Sequence, residues 1–237
     1  MLGSMTELGP GWIAFGPIGG GAGGLVGLGQ ILVAPWKSRL TWRTWWRIRH
    51  TGIITQAHGR EWRETGGDAF GPTMVEAQPG GMREITLRTA KHWTDEWTYI
   101  LPRYQPGQAD LVAEIAQRQA RKRIPYAFEC YPAIALNRLP VNVPPLNRWL
   151  SRTDADGDPV RVICSWEVDS ALTLSGGLDG LGHVFNDGRQ PHDVIPSELY
   201  LRLLELDPVK VIRPGRVAVT RRTANLRDAR TIPPDLL

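Results

Sequence analysis

Apolar and polar positions alternate in several short stretches of this chain. Each stretch is bounded by glycine, proline or small polar residues, the pattern of half-buried strands. It predicts strands over 11–15, 51–56, 73–77, 83–88 and 97–103. The third and fourth are separated by Gln78-Pro79-Gly80-Gly81, a turn signal. A helical period governs 109–122, where Leu111, Val112, Ile115 and Ala116 share one face and Arg118, Arg121 and Lys122 turn outward. A second helix is expected to begin at Cys164, with Val168, Ala171, Leu172 and Ser175 on one face and Gly176-Gly177 as its stop. Glu167 and Asp169 lie early in it, where the helix dipole favours acids. A short apolar helix over 25–33, a polar hairpin or loop over 58–71 and a strand over 216–220 complete the expectation. Strands and helices in this arrangement give an α+β protein.

Composition narrows the class. The chain has 237 residues, 42% hydrophobic and 22% charged, enough for one generous domain with appendages. Ten tryptophans against four phenylalanines and five tyrosines offer broad apolar faces that fill a core, an interface or a groove. The net charge of +4 is unevenly spread. Lys37, Arg39, Arg43, Arg47 and Arg49 interleave with Trp42, Trp45 and Trp46, and a second basic run follows Val209. Such patches suit anionic partners or a subunit surface, but no nucleic-acid fold signature accompanies them, so no nucleic-acid partner is expected. Residues 8–36 carry no charge, yet their glycines and prolines leave no apolar piece long enough to span a bilayer. No cationic segment precedes them, so neither a membrane span nor a secretory signal is expected.

The chemistry-bearing residues are few. Two cysteines make no disulfide framework in a chain this long, and Cys130 and Cys164 are expected as free thiols. Cys164 stands where a helix should begin, and His50 opens the strand His50-Thr51-Gly52-Ile53-Ile54. Cysteine attacks as thiolate, and a helix N-terminus and a nearby imidazolium both favour that form. A third group must orient the imidazole through its other nitrogen. Glu76 suits this role, because a charged residue inside the apolar strand Met74-Val75-Glu76-Ala77 needs a reason.

Several segments taken together resemble one family. "GWIAFG", "RHTGIITQ", "MVEAQPGGMREITL", "RIPYAFECYPAIAL" and "RVICSWEVDSALTLSGG" look like a circularly permuted NlpC/P60 enzyme of the YiiX-like, papain-fold group. The resemblance runs from about Gly9 to about Leu201 in one order, histidine before cysteine. It implies an antiparallel, partly barrelled sheet packed on the nucleophile helix, with a tail over 1–8, a catalytic domain over 9–205, an insertion over about 16–49 and a basic extension over 206–237. It also implies Cys164 as nucleophile, His50 as base, Glu76 as orienting residue and Tyr126 as a site-lining residue near the oxyanion position. Trp166 replaces a smaller residue after the Cys-Ser pair and is expected to narrow the groove. The implied activity is hydrolysis of amide or isopeptide bonds, with peptidoglycan stem peptides as substrate. Two alternatives stand beside it: a bacteriophage tail-tip protein carrying this fold and docking to virion proteins through its basic extension, and a lipid or acyl-ester hydrolase or acyltransferase.

Rival signals fail on their own chemistry. Gly19 to Gly24 satisfies GxGxxG, but no acidic residue follows until Glu61 and no βαβ spacing supports a dinucleotide. Asp154, Asp156 and Asp158 imitate the start of a calcium loop, but Pro159 stands at the required glycine and Ser165 at the closing glutamate. The five histidines show no zinc-ligand spacing. No metal or cofactor is expected.

Overall fold

The computed structural model describes residues 5–17, 47–57, 71–130, 149, 151–178, 184–185 and 194–214. Among them, six strands form one antiparallel sheet: β1 (Ile13–Gly16), β2 (His50–Gln56), β3 (Thr73–Gln78), β4 (Gly81–Thr86), β5 (Thr98–Leu101) and β6 (Lys210–Ile212). The spatial order is β4-β3-β2-β1-β5-β6. Three helices of ten residues or more, α1 (Gln108–Arg121), α2 (Cys164–Leu174) and α3 (Pro196–Glu205), accompany it, with a single helical turn at Thr89–His92. The protein is therefore α+β, as its hydrophobic pattern predicts.

Strand alternation sorts the side chains into two cores. Ile13, Phe15, Ile53, Val75, Ala77 and Ile100 join the main core with α1, α2 and α3. Ala14, Ile54, Met74 and Tyr99, their neighbours along the strands, join a second core with Met5, Leu8, Trp12 and Trp97. Each fully buried side chain of the Ile or Phe type contributes roughly 1.5–3 kcal/mol, so both faces of the sheet are committed. The N-terminal segment from Met5 is accordingly part of the packed structure. At the far edge, Lys210 bonds to Glu7 and β6 pairs with β5, so the sheet continues into the segment assigned by sequence to the basic extension.

Several expectations need correction. Leu111 is 42% exposed, while Val112, Ile115 and Ala116 face the core. Arg118 and Lys122 do more than face solvent. Arg118 makes a two-point contact with Asp158, and the Lys122 ammonium sits 2.6–2.7 Å from Asp154, Asp156 and Asp158. The apparent calcium loop thus surrounds the chain's own Lys122, the C-cap of α1. The Cys164 helix is not one-sided: every residue from Cys164 to Leu172 is buried, because α2 packs against β2, β3 and both other helices. Helix α3 is missing from the expectations. The expected helix over 25–33 and strand over 216–220, and the loop over 58–71 apart from Gly71, lie outside the described residues.

Polar bonds fix α2 in place. From α1, Gln119 Nε2 donates to Ser170 Oγ at 3.1 Å and Gln108 Nε2 donates to the Gly177 carbonyl at 2.5 Å. Ser165 Oγ donates to the Val194 carbonyl at 2.6 Å, tying the helix start to the approach of α3.

Candidate active site

The site begins with strand register. His50 is the first residue of β2 and pairs with Gly16 of β1. Gly52, two residues on, pairs with Glu76 of β3. His50 and Glu76 are therefore diagonal neighbours, a separation that long side chains bridge. They do so: His50 Nε2 lies 2.7 Å from Glu76 Oε2, with both side chains buried. Backbone closeness is a condition of this register. A Cβ on Gly52 would stand 2.6 Å from the Val75 carbonyl oxygen, and one on Gly16 would stand 2.5 Å from the Trp97 ring. Trp97 in turn meets the His50 ring edge-to-face at 6.5 Å, which helps hold the imidazole. On its other side Trp97 meets His92 at 5.3 Å. His92 Nδ1 accepts from the Arg88 amide, and burial pushes its pKa down to about 4.

Glu76 serves two partners. Across the β3–β4 hairpin it stands opposite Arg83. Arg83 Nε and Nη2 both donate to Glu76 Oε1, at 3.1 and 2.9 Å, leaving Oε2 for His50. Burial alone would raise the carboxyl's pKa, but the bonds and charges of His50 and Arg83 outweigh it and hold Glu76 at about 2. Sequence reading missed Arg83. The turn at Pro79-Gly80 carried the signal, since Gln78 opposite Gly81 brings residue 76 opposite 83.

Cys164 arrives from the far end of the chain as the first residue of α2. Its thiol is free and 0% exposed. Burial opposes a charge on His50, but the sulfur of Cys164 and the carboxylate of Glu76 favour the imidazolium more strongly, raising the histidine to about 10. With Nε2 held by Glu76, the remaining nitrogen is Nδ1, which is buried and has no hydrogen-bond partner. The N-cap of α2 is Ile163, which supplies no side-chain cap. The first amides of the helix thus gain no bond from the N-cap side chain, and amides at a helix start bind anionic atoms. The structure brings His50, Glu76 and Cys164 together.

Tyr126 lies beside the approach to the nucleophile. It bridges Val162 in parallel, with the Ala127 amide donating to the Val162 carbonyl and the Val162 amide donating to the Pro125 carbonyl. Trp166 packs into the main core next to the nucleophile. A further acid emerges that sequence reading had treated as a dipole partner. Glu167, one turn beyond Cys164, is fully buried, and neither carboxylate oxygen has a hydrogen-bond partner. Burial drives its pKa well above the usual range, with Cys164 and Glu76 adding to the shift and His50 opposing it. The two glutamates that interact with this imidazole thus shift in opposite directions, Glu76 down and Glu167 up.

Compared with protein families, with curated proteins and with solved structures, the chain matches none. No helix among the described residues is long and apolar enough to cross a membrane.

Proposed function

We propose that this protein is a cysteine hydrolase of amide or isopeptide bonds, built on a permuted, NlpC/P60-like papain fold and acting on peptidoglycan stem peptides. The observation that carries the reading is the buried His50–Glu76 bond at 2.7 Å, which leaves the other imidazole nitrogen to serve a thiol at a helix start. An imidazole fixed through one nitrogen and free at the other is the arrangement a nucleophile–base pair needs.

The reaction follows from that geometry. The Cys164 thiolate adds to the scissile carbonyl, and the resulting oxyanion is held by the Cys164 backbone amide at the uncapped start of α2. The imidazolium of His50 gives its proton to the leaving amine as the carbon–nitrogen bond breaks, leaving a thioester. Neutral His50 then takes a proton from water, which adds to the thioester and releases the acid and the thiol. Throughout, Glu76 keeps the ring oriented and favours its charged form, and Arg83 holds Glu76. The choice of peptidoglycan rests on the segment resemblance, and the tryptophans and basic runs suit an anionic, sugar-bearing polymer.

The test is direct. Purified protein and Cys164→Ala are incubated with defined muropeptides, and products are followed by mass spectrometry. One specific amide cleavage, lost in the variant, is the expected result. Absence of cleavage by the native protein, or equal cleavage by the variant, overturns the reading.

A further inference from the structure

Beside the chain that delivers Cys164 lies a half-open ledge of charged and aromatic side chains. The parallel bridge between Tyr126 and Val162 sends two segments the same way, one into α2 and the other into the turn at Phe128-Glu129. Arg161, just before the bridge, reaches across to that turn, with Nη1 donating to Glu129 Oε1 at 2.6 Å. Its guanidinium carbon stands 4.7 Å over the Trp149 ring, which fixes the plane of the group. Phe128 is 51% exposed and meets Tyr126 edge-to-face at 5.0 Å.

Two features of this ledge point to a ligand. Arg161 has five donors in a rigid fork but, among the described residues, gives only Nη1, to Glu129, and its side chain is 38% exposed. Its remaining donors suit a second carboxylate, held in two-point fashion. Glu129 shows the opposite need. Its Oε2 is buried and has no hydrogen-bond partner, although the side chain as a whole is 40% exposed. A buried carboxylate oxygen without a donor is costly, and an incoming ammonium would satisfy it. The pair therefore offers a cation for a carboxylate and an anion for an ammonium, a few ångströms apart, with aromatic rings alongside.

We propose that Arg161 and Glu129 form a substrate-recognition subsite for an amino-acid centre carrying a free carboxylate and a free ammonium, with Phe128 and Trp149 covering its carbon chain. The proposal rests on Cys164 being the reacting group, because the subsite's use comes from lying beside it. A peptide bearing a terminal amino-acid centre would be anchored there while its amide bond meets the thiol. Arg161 and Glu129 then set specificity and leave the chemical step to His50 and Cys164.

Binding separates this idea from the hydrolase reading. Full-length Cys164→Ala protein is titrated with Nε-acetyl-lysine, a free amino-acid centre on a four-carbon stem, and the Trp149 indole and Arg161 Nε signals are followed by NMR. The same titration uses the Nα-acetylated compound and the α-carboxamide. The free form should move both signals at millimolar concentration, and either block should weaken binding roughly tenfold or more, the scale of a lost charge-assisted bond. Arg161→Gln should remove the preference for the free carboxylate, and Glu129→Gln the preference for the free ammonium. No shift with the free form, or equal binding of all three, overturns the subsite. Selective binding with no muropeptide cleavage by the native protein keeps the subsite and sinks the hydrolase. Where cleavage occurs, Arg161→Gln should raise KM for muropeptides bearing a free amino-acid centre and leave kcat unchanged.

Discussion

Replacing Glu76 with glutamine tests whether the buried triad is held by charge. The change keeps shape but removes the negative charge that serves both His50 and Arg83. Two routes give its magnitude. A carboxyl held at about 2 instead of 4.5 stabilises the fold by about 3 kcal/mol at neutral pH, at roughly 1.4 kcal/mol for each tenfold change in ionisation. Breaking one partner of a buried ion pair costs about 3–5 kcal/mol in other proteins. Arg83 is half exposed and adds less than about 1 kcal/mol of this. A loss of about 3 kcal/mol should lower Tm by about 6–12 °C for a chain of this length. The pH dependence carries the sharper test. Glu76 has a depressed pKa, so its contribution is complete above about 4.5 and is lost as pH falls through about 2. Thermal unfolding of both proteins between pH 7 and pH 3 should therefore show a gap that is constant down to about pH 5 and narrows below it. A gap of constant size over the whole range would refute the charge argument and leave only lost packing. In an activity assay the variant should lose about 10³–10⁴ in kcat, because the amide can stabilise the wrong histidine tautomer.

Other consequences follow from neighbouring atoms. His50 owes part of its raised pKa to the Cys164 sulfur, so in Cys164→Ala an NMR titration should place the imidazole below about 10. A raised histidine stabilises the fold fully below about 6.5 and loses that contribution as pH rises through its folded value, so the alkaline decline in Tm should start at the same pH in the variant but be smaller and end at lower pH. Glu167→Leu removes a buried carboxyl without a hydrogen-bond partner and should raise stability by about 1–3 kcal/mol in denaturant titrations, whereas Glu167→Gln only exchanges it for a buried amide and should not; a loss in the leucine variant would mean that the acid supports the fold. Gly52→Ala forces a methyl against the Val75 carbonyl and should cost about 2–3 kcal/mol, with His50 displaced from Glu76 and the imidazole signal shifted; unchanged stability would contradict the packing.

Strands β1 and β3 were legible because each buries alternate residues against two different cores, so the period of two is written plainly in Ile13 to Phe15 and in Met74 to Ala77, whereas the three-residue β6 was not among the expectations. Cys164, His50 and Glu76 could be singled out for a related reason: each is a reactive side chain at the end, or in the interior, of an apolar element. Helix α2 was located but its face was not, since a helix buried on all sides has no polar stripe to betray its orientation. Leu111 misled because helical spacing marks a candidate face without fixing how far the neighbouring elements wrap around it. Helix α3 had a readable face in Leu199, Tyr200, Leu203 and Leu204, but Pro196 at its first turn reads as a breaker unless it is recognised as a helix start. Arg83 and the Lys122–aspartate cluster depend on pairing between distant or turn-related positions, which periodicity does not encode.

The base and the nucleophile stand more than a hundred residues apart in the chain, and the last strand of the sheet follows both. A ribosome therefore delivers His50 and Glu76, with five of the six strands, well before it delivers any thiol for them to act on. On the proposed reading, the growing chain is chemically silent until its final third has emerged and docked, a late long-range contact of the kind that folds slowly. The same order makes the protein a natural subject for splitting. A cut between residues 130 and 149 leaves the base on one fragment and the nucleophile on the other, so hydrolysis restored on mixing would report, in a single measurement, that the two halves have found each other.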